Sequence, residues 1–135
     1  MSQNNVDLTR MAYEAINTGD PGVLEAIHEE MEFHEPASLP YGGIYRGPDG
    51  MGELFGALAE HWDGLHLEIE ELVDAGDCVA IRARLQGRAK STGREVDEPY
   101  LELLRFREGK AIADWIQMDT AAVLQALGRE TAPAH

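Results

Sequence analysis

Two glutamates occupy apolar strand-like segments, where a carboxylate is not expected. Glu35 is the fifth residue of the segment "MEFHEP" (31–36), and Glu102 stands in the middle of "PYLELLRF" (99–106). Strands disfavour glutamate, and the burial of an unpaired charge is more costly still. Two carboxyl groups whose surroundings separate their pKa values can serve as base and acid. The pair therefore predicts proton-transfer chemistry.

The period-two alternation of a strand indicates which way these carboxyl groups point. Glu35 shares a face with Met31 and Phe33, while Glu102 shares a face with Tyr100 and Leu104. Both acids are therefore expected to point towards the interior. A shift of one residue in the register would turn Glu102 outward, and an arginine partner would make it half of a buried salt bridge. Glu35 has a simpler interpretation as a solvated carboxylate at the end of a strand.

A two-residue turn at 108–109 sets the expected pairing of the last two strands. A regular ladder from this turn places Glu102 opposite Trp115 and Tyr100 opposite Gln117. These side chains and the helix that follows Pro48 supply an apolar pocket with polar groups at its tip. The predicted substrate-binding residues are Tyr41, Phe55, Leu58, Trp62, Tyr100, Trp115 and Gln117.

Other titratable residues have weaker support. His34 alternates away from Glu35, so it is predicted at the surface or in a supporting position. His34 and Asp119 are the alternative bases if Glu35 is not the base. "HEEMEFHE" (28–35) has no spacing that one strand or helix could close around a metal ion, and no nucleotide-binding glycine motif is present. We therefore expect neither a metal site nor a cofactor.

The order of elements predicts one α+β domain over residues 1–135, with a core at about 6–128 and a flexible tail at 129–135. Apolar residues recur at helical spacing in the first third of the chain, and the stripe from Met51 to Trp62 is the strongest example. After Gly64 the sequence alternates with period two almost to its end. This pattern indicates a curved antiparallel sheet packed on N-terminal helices.

Composition limits the possible partners and locations. The 135 residues are 44% hydrophobic, and 25 acidic against 11 basic residues give a net charge of −14. Such a surface repels phosphate backbones and anionic membranes, so neither nucleic acid nor a membrane is an expected partner. The single Cys78, together with a polar start that has no apolar leader segment, indicates the cytoplasm.

Four segments carry a resemblance to a known family. They are "AINTGD" (15–20), "FHEP" (33–36), "YRGPDGMGELF" (45–55) and "LELLRFREGK" (101–110). With the order of elements, they resemble the cone-shaped α+β fold of ketosteroid isomerase, the SnoaL-like polyketide cyclases and nuclear transport factor two. The resemblance covers about residues 6–128 and implies a cone-shaped fold of that type.

The resemblance also implies catalytic roles. The family's general base is an acid immediately before a proline, which Glu35 matches, and its proton-donating acid lies two residues before "LRF", as Glu102 does. A protonated acid of this kind in ketosteroid isomerase is an established example of pKa tuning. The family's tyrosine on the first helix is replaced by Ala12. Tyr13 lies about 100° further round that helix, at the edge of the apolar stripe.

These observations predict a cofactor-independent acid/base enzyme acting on a hydrophobic carbonyl compound by isomerisation, dehydration or cyclisation. Glu35 would be the base, and Glu102 a protonated acid beside Trp115. Epoxide hydrolysis with Asp119 or Glu35 as base is one alternative, and a non-catalytic binding or assembly module is the other. A homodimer is expected through the apolar outer face of the sheet. The residues of that predicted face are Leu101, Leu103, Ile112, Ile116 and Met118.

Overall fold

The computed structural model describes residues 2–129, with side chains from Asn5 onward. The predicted flexible tail at 129–135 lies outside the described residues except for Arg129. Helix α1 covers Ser2–Thr18, and a 3₁₀ helix covers Pro21–Ala26 with Asp20 as its N-cap. Helix α2 covers Gly47–His61 and α3 covers Thr120–Ala126. The strands are β1 Ile27–Glu35, β2 Gly43–Arg46, β3 Trp62–Asp74, β4 Cys78–Ala89, β5 Glu95–Arg107 and β6 Lys110–Met118.

The six strands form one curved, unclosed sheet in the order β2-β1-β6-β5-β4-β3. All neighbouring pairs are antiparallel except β1 and β6, which run parallel. The α+β fold with a mostly antiparallel sheet on N-terminal helices is confirmed. The short strand β2 has no clear signal in the sequence, because Gly43 and Arg46 leave only two residues to show an alternation.

The helices cover the concave face of the sheet, α1 against β3 and β4 and α2 against β1. Asn17 fixes α1 to β3 through two hydrogen bonds with the backbone of Leu67, at 2.9 and 2.8 Å. The largest fully buried side chains lie on inward faces of both layers, and include Met31, Leu54 and Ile81. Within residues 2–129, no helix is both long and apolar enough to span a membrane.

The ladder between β5 and β6 departs from the regular pairing predicted from the turn. Arg107 pairs with Lys110 and Phe106 with Ala111, as expected, but Arg105 then pairs with Ala113. Ile112 is therefore an extra residue, a β-bulge, and each later residue of β6 moves by one position. Because side chains alternate between faces, this one residue exchanges the inward and outward sets of β6.

Candidate functional site

A cavity lies between the concave face of the sheet and helices α1 and α2. Its inner chamber has a volume of about 100 Å³ and an almost wholly apolar wall. An outer cavity of about 460 Å³ lies between the end of α1, the 3₁₀ helix and the end of α2. The two share five lining residues, namely Ile16, Val23, Phe55, Leu58 and Leu65. The two cavities are therefore adjacent, with these five residues between them or along both walls.

Glu35 is held at the inner chamber by the end of β1. Met31 and Phe33 on the same face are buried in the core, and Pro36 follows immediately. The side chain is 8% exposed and lines the chamber. Burial, and secondarily the nearby carboxyl of Glu102, raise the pKa of Glu35 from 4.5 to about 8. No side chain in the described part of the chain donates a hydrogen bond to it, so its oxygens are free for a ligand.

Glu102 lies on the inward face of β5, between Tyr100 and Leu104, as predicted. The Tyr13 hydroxyl donates a hydrogen bond to Glu102 Oε1, and Tyr13 and Tyr100 hydroxyls lie 2.8 Å apart. Burial, followed by the charge of Glu102, raises the pKa of both tyrosines, so both keep their protons near neutral pH. A buried hydrogen-bonded chain therefore links α1 to β5.

Asp114 is a third carboxyl group in the chamber, and sequence reasoning missed it. The bulge at Ile112 turns it inward, where it is 3% exposed and lies beside the Glu102 carboxyl group. Burial first, and the neighbouring Glu102 second, hold the pKa of Asp114 well above its usual range. Its Oδ1 atom is buried without a hydrogen-bond partner within residues 2–129.

The predicted pocket positions of Trp115 and Gln117 are wrong. The bulge turns both to the outer face, where Gln117 is exposed and the Trp115 ring stacks on His34 at 5.4 Å. Glu102 faces Ile116 across the ladder instead of Trp115, and Tyr100 faces Met118 instead of Gln117. The expected environment of Glu102 changes accordingly, from an indole ring to a second carboxyl group.

The other predicted wall residues lie along the cavity. Tyr41 and Tyr100 line the inner chamber, and Phe55 and Leu58 line both parts. Trp62 lines only the outer part, and its indole Nε1 donates a hydrogen bond of 3.1 Å to the Tyr41 hydroxyl. These residues thus line the two adjacent cavities, and Glu35 lies in the inner one.

Neither alternative base reaches the cavity. His34 points to the outer face beside Trp115 and lies 3.4 Å from Glu32. Asp119 is the exposed N-cap of α3, where its carboxylate accepts hydrogen bonds from the backbone of Ala121 and Ala122. Among the described residues, no group of three or more potential ligand side chains could hold a metal ion.

The first helix supplies a hydroxyl group to the site, and this group comes from Tyr13 instead of from the position of Ala12. Tyr13 is buried in the core and reaches Glu102 from α1, although its neighbour Ala12 occupies the family's tyrosine position. No pattern in the sequence marks Tyr13 as inward-facing, because it lies at the edge of the apolar stripe of α1. For Asp114, the signal was the apolar set of Ile112, Ile116 and Met118 at alternate positions around it.

Comparison with solved structures shows the same architecture in other proteins. A nuclear-transport-factor-two-like protein from Burkholderia thailandensis is 30% identical, with 90% of this chain and 95% of that chain covered and a TM-score of 0.84. IdmH from Streptomyces antibioticus, described as a candidate polyketide cyclase, is 26% identical over 91% of this chain and 97% of its own, with a TM-score of 0.76. A protein from Catenulispora acidiphila with a ketosteroid-isomerase-like fold is 19% identical over 93% and 97% of the two chains, with a TM-score of 0.81.

A search among curated proteins found no match to the sequence. The model of the SnoaL-like domain matches residues 9–115, which include α1 from Thr9 onward, both predicted acids and the first part of β6 with Asp114. The family match covers most of the chain and agrees with the fold and with the polar-tipped cavity. The chain belongs to the SnoaL-like family.

Proposed function

We propose that this protein is a cofactor-independent acid/base enzyme that acts on a hydrophobic small-molecule carbonyl compound by isomerisation, dehydration or cyclisation. The observation that carries the proposal is Glu35, a carboxyl group to which no described residue donates a hydrogen bond, in an apolar chamber that also holds a buried network of acids and tyrosines. The polyketide cyclase candidate IdmH among the structural relatives supports the same class of substrate.

Glu35 is the proposed base. Burial raises the pKa of Glu35 to about 8, which is close to the value that makes a carboxylate an effective acceptor for a proton on carbon at neutral pH. The ionised form would take a proton from the carbon next to the substrate carbonyl. The apolar wall around it keeps bulk water from competing for that proton.

Hydrogen-bond donors in the chamber would stabilise the negative charge that then develops on the carbonyl oxygen. The Tyr41 hydroxyl accepts from Trp62 and keeps its own proton for a ligand, because burial raises the pKa of Tyr41. Glu102 is the proposed acid, with the carboxyl group of Asp114 beside it.

Exchange of carbon-bound protons tests the proposal without the natural substrate. Wild-type protein should catalyse deuterium exchange at the α-carbons of cyclohexanone in D₂O, followed by proton NMR. Glu35→Gln keeps the shape of the side chain and removes the acceptor, so the exchange rate should fall by about 10²–10⁴-fold. Glu29→Gln, an exposed position on the same strand, is the control and should leave the rate unchanged. Equal rates for wild type and Glu35→Gln would refute Glu35 as the base.

Epoxide hydrolysis is less favoured by this geometry. Asp119, one of its two candidate bases, caps α3 outside the cavity. An inward aspartate exists in Asp114, but among the described residues no arginine, lysine or histidine lines the chamber beside it.

The cytoplasmic location indicated by the single Cys78 stays a prediction.

A further inference from the structure

The outer cavity has an apolar wall that is only half covered by the protein. Ile16, Phe55, Leu58 and Leu65 line it and are half-buried, whereas Trp62 on the same wall is 3% exposed. Contact between water and apolar side chains is unfavourable, so an apolar group that displaced this water would bind favourably. The wall is therefore suited to an apolar ligand.

The charges of the outer cavity exclude an ionised or strongly polar occupant. Asp20 is the one charged side chain among the described lining residues, and its carboxylate accepts a hydrogen bond of 2.8 Å from the backbone of Gly22. Its negative charge repels carboxylates and phosphates. The one side-chain donor on this described wall, the indole of Trp62, already donates to the Tyr41 hydroxyl. An uncharged ring or chain fits these surroundings best.

The outer cavity and the inner chamber lie close enough for one molecule to use both. Five apolar side chains line the two spaces together, so at those places no more than one side chain lies between them. The hydrogen bond of 3.1 Å from Trp62 to Tyr41 joins a residue that lines only the outer cavity to one that lines only the chamber. Tyr41 and Glu35 line the same chamber.

We propose that the outer cavity is a second subsite for the substrate, and that it binds an uncharged apolar ring of the molecule whose carbonyl end lies at Glu35. The chamber of about 100 Å³ takes the compact reacting end, and the cavity of about 460 Å³ takes the larger body. The substrate class is then a neutral ketone or aldehyde with at least two linked rings. The carbonyl end rests on the proposed function, whereas the apolar subsite rests on the outer cavity alone.

Isotope-edited NMR with 4-cyclohexylcyclohexanone locates both ends of one bound molecule. Leu24 lines only the outer cavity, and Phe33, two residues before Glu35 on the same face, lines only the chamber. In protein labelled at leucine and phenylalanine, the ring without the carbonyl should give nuclear Overhauser contacts with the Leu24 methyl groups. The protons next to the carbonyl should give contacts with the Phe33 ring.

A substitution at Gly52 tests the subsite by affinity. Gly52 lines the outer cavity, and a Cβ atom there would meet only Leu24 Cδ1, at an ordinary contact distance of 3.9 Å. The ring of Gly52→Phe would compete with the ligand for this cavity. The affinity for 4-cyclohexylcyclohexanone should fall about 10-fold more than the affinity for cyclohexanone. Gly56→Phe, at an exposed position of the same helix with open space around it, is the control and should change neither affinity.

Three results would overturn the outer subsite. The first is a second ring that contacts Phe33 but not Leu24, or neither of them. The second is an equal affinity of the wild type for the two ketones. The third is a Gly52→Phe variant that weakens both ketones equally or weakens neither. If that variant does not fold, the contacts observed in the wild type decide alone.

The same NMR experiment in Glu35→Gln separates this inference from the proposed function. The contacts with Leu24 should survive that substitution, because the outer cavity is untouched. Retained contacts together with a deuterium-exchange rate independent of Glu35 would leave the subsite standing and remove the proposed base. Exchange that depends on Glu35 without contacts to Leu24 would do the reverse.

Discussion

Burial of the Glu35 carboxyl couples the protonation of this residue to the stability of the fold. Burial raises the pKa of Glu35 from 4.5 to about 8, so between these values the folded state binds a proton that the unfolded state has released. Protonated Glu35 therefore stabilises the fold at low pH, and this contribution is lost as the pH rises towards about 8.

Urea denaturation at about pH 5 and about pH 8 measures this effect. The free energy of unfolding of the wild type should decrease between the two values by more than that of Glu35→Gln, which cannot ionise. Asp114 contributes a change of the same sign in both proteins, so the larger decrease in the wild type is due to the Glu35 carboxyl and its effect on Asp114. The same pH dependence in both proteins would contradict the raised pKa of Glu35.

Tyr13 is expected to stabilise the site as well as shape it. Tyr13→Phe removes the donor to Glu102 and the acceptor of Tyr100, leaving both buried groups unsatisfied. The free energy of unfolding should fall by about 1–3 kcal/mol. Tyr45→Phe is the control, because it removes one bond of 2.6 Å from a half-buried tyrosine to the Tyr41 carbonyl and should cost about 1 kcal/mol or less. Equal losses for the two variants would contradict the buried network.

The two acids could be predicted from sequence because each interrupts a clear apolar alternation. Glu35 follows Met31 and Phe33, and Glu102 sits between Tyr100 and Leu104, so the period of two alone turns both inward. Tyr13 could not be assigned in this way. A helix residue at the edge of an apolar stripe turns inward or outward according to the tilt of the whole helix on the sheet.

At the scale of elements, the β-bulge at Ile112 accounts for the difference between the predicted site and the observed one. The turn at 108–109 fixes the first two pairs of the hairpin, but an extra residue further along reverses the faces of everything after it. Ile112 has no glycine or proline beside it to mark the irregularity. The alternation of the sequence therefore located strand β6 correctly. It placed Trp115 and Gln117 in the cavity, where the structure has Asp114 and Ile116.

The loop after β1 holds Tyr41 beside Glu35 through a close backbone contact at Gly42. A Cβ atom at Gly42 would collide with the backbone oxygen of Pro36, and no flexible side chain is available to move aside. Gly42→Ala should therefore destabilise the protein by about 1–3 kcal/mol, by analogy with overpacked sites.

Gly56 offers the matched comparison for that substitution. It lies in α2, is exposed, and has open space where a Cβ atom would be. Gly56→Ala should stabilise the protein by about 0.5–1 kcal/mol because alanine is the better helix former. Thermal unfolding of the two variants should thus shift in opposite directions, and a shift of the same sign would show that the Gly42 contact does not constrain the loop.

At the scale of the whole molecule, an apolar row crosses the outer face of the sheet. Register pairs align one residue from each strand, namely Ile44, His34, Trp115, Leu103, Ala80 and Val73. Leu101 and Leu103 are 60% and 38% exposed. The predicted outer face is thus corrected, since Ile112 is buried and Ile116 and Met118 line the cavity.

We propose that this face joins two copies of the chain. Two ion pairs border the row, Arg82 with Glu70 and Arg84 with Asp97. Because positive and negative side chains both lie there, a two-fold arrangement can set unlike charges of the two copies against each other. Light scattering should give the mass of a dimer, and Leu103→Glu should give a monomer. Met11→Glu, on an exposed apolar residue of α1, should leave the dimer intact. A monomeric wild type at micromolar concentration would refute this interface.

Titration of Glu35 itself tests the central claim most directly. Carboxyl carbon-13 NMR of protein labelled at glutamate, with Glu35→Gln to assign the signal, reads the protonation of this one group as the pH changes. A buried base predicts a midpoint at about 8, raised by desolvation and by the nearby Glu102 carboxyl. A midpoint at or below the ordinary value of 4.5 would show a solvated carboxylate, and the cavity would then be a binding site without the proposed base.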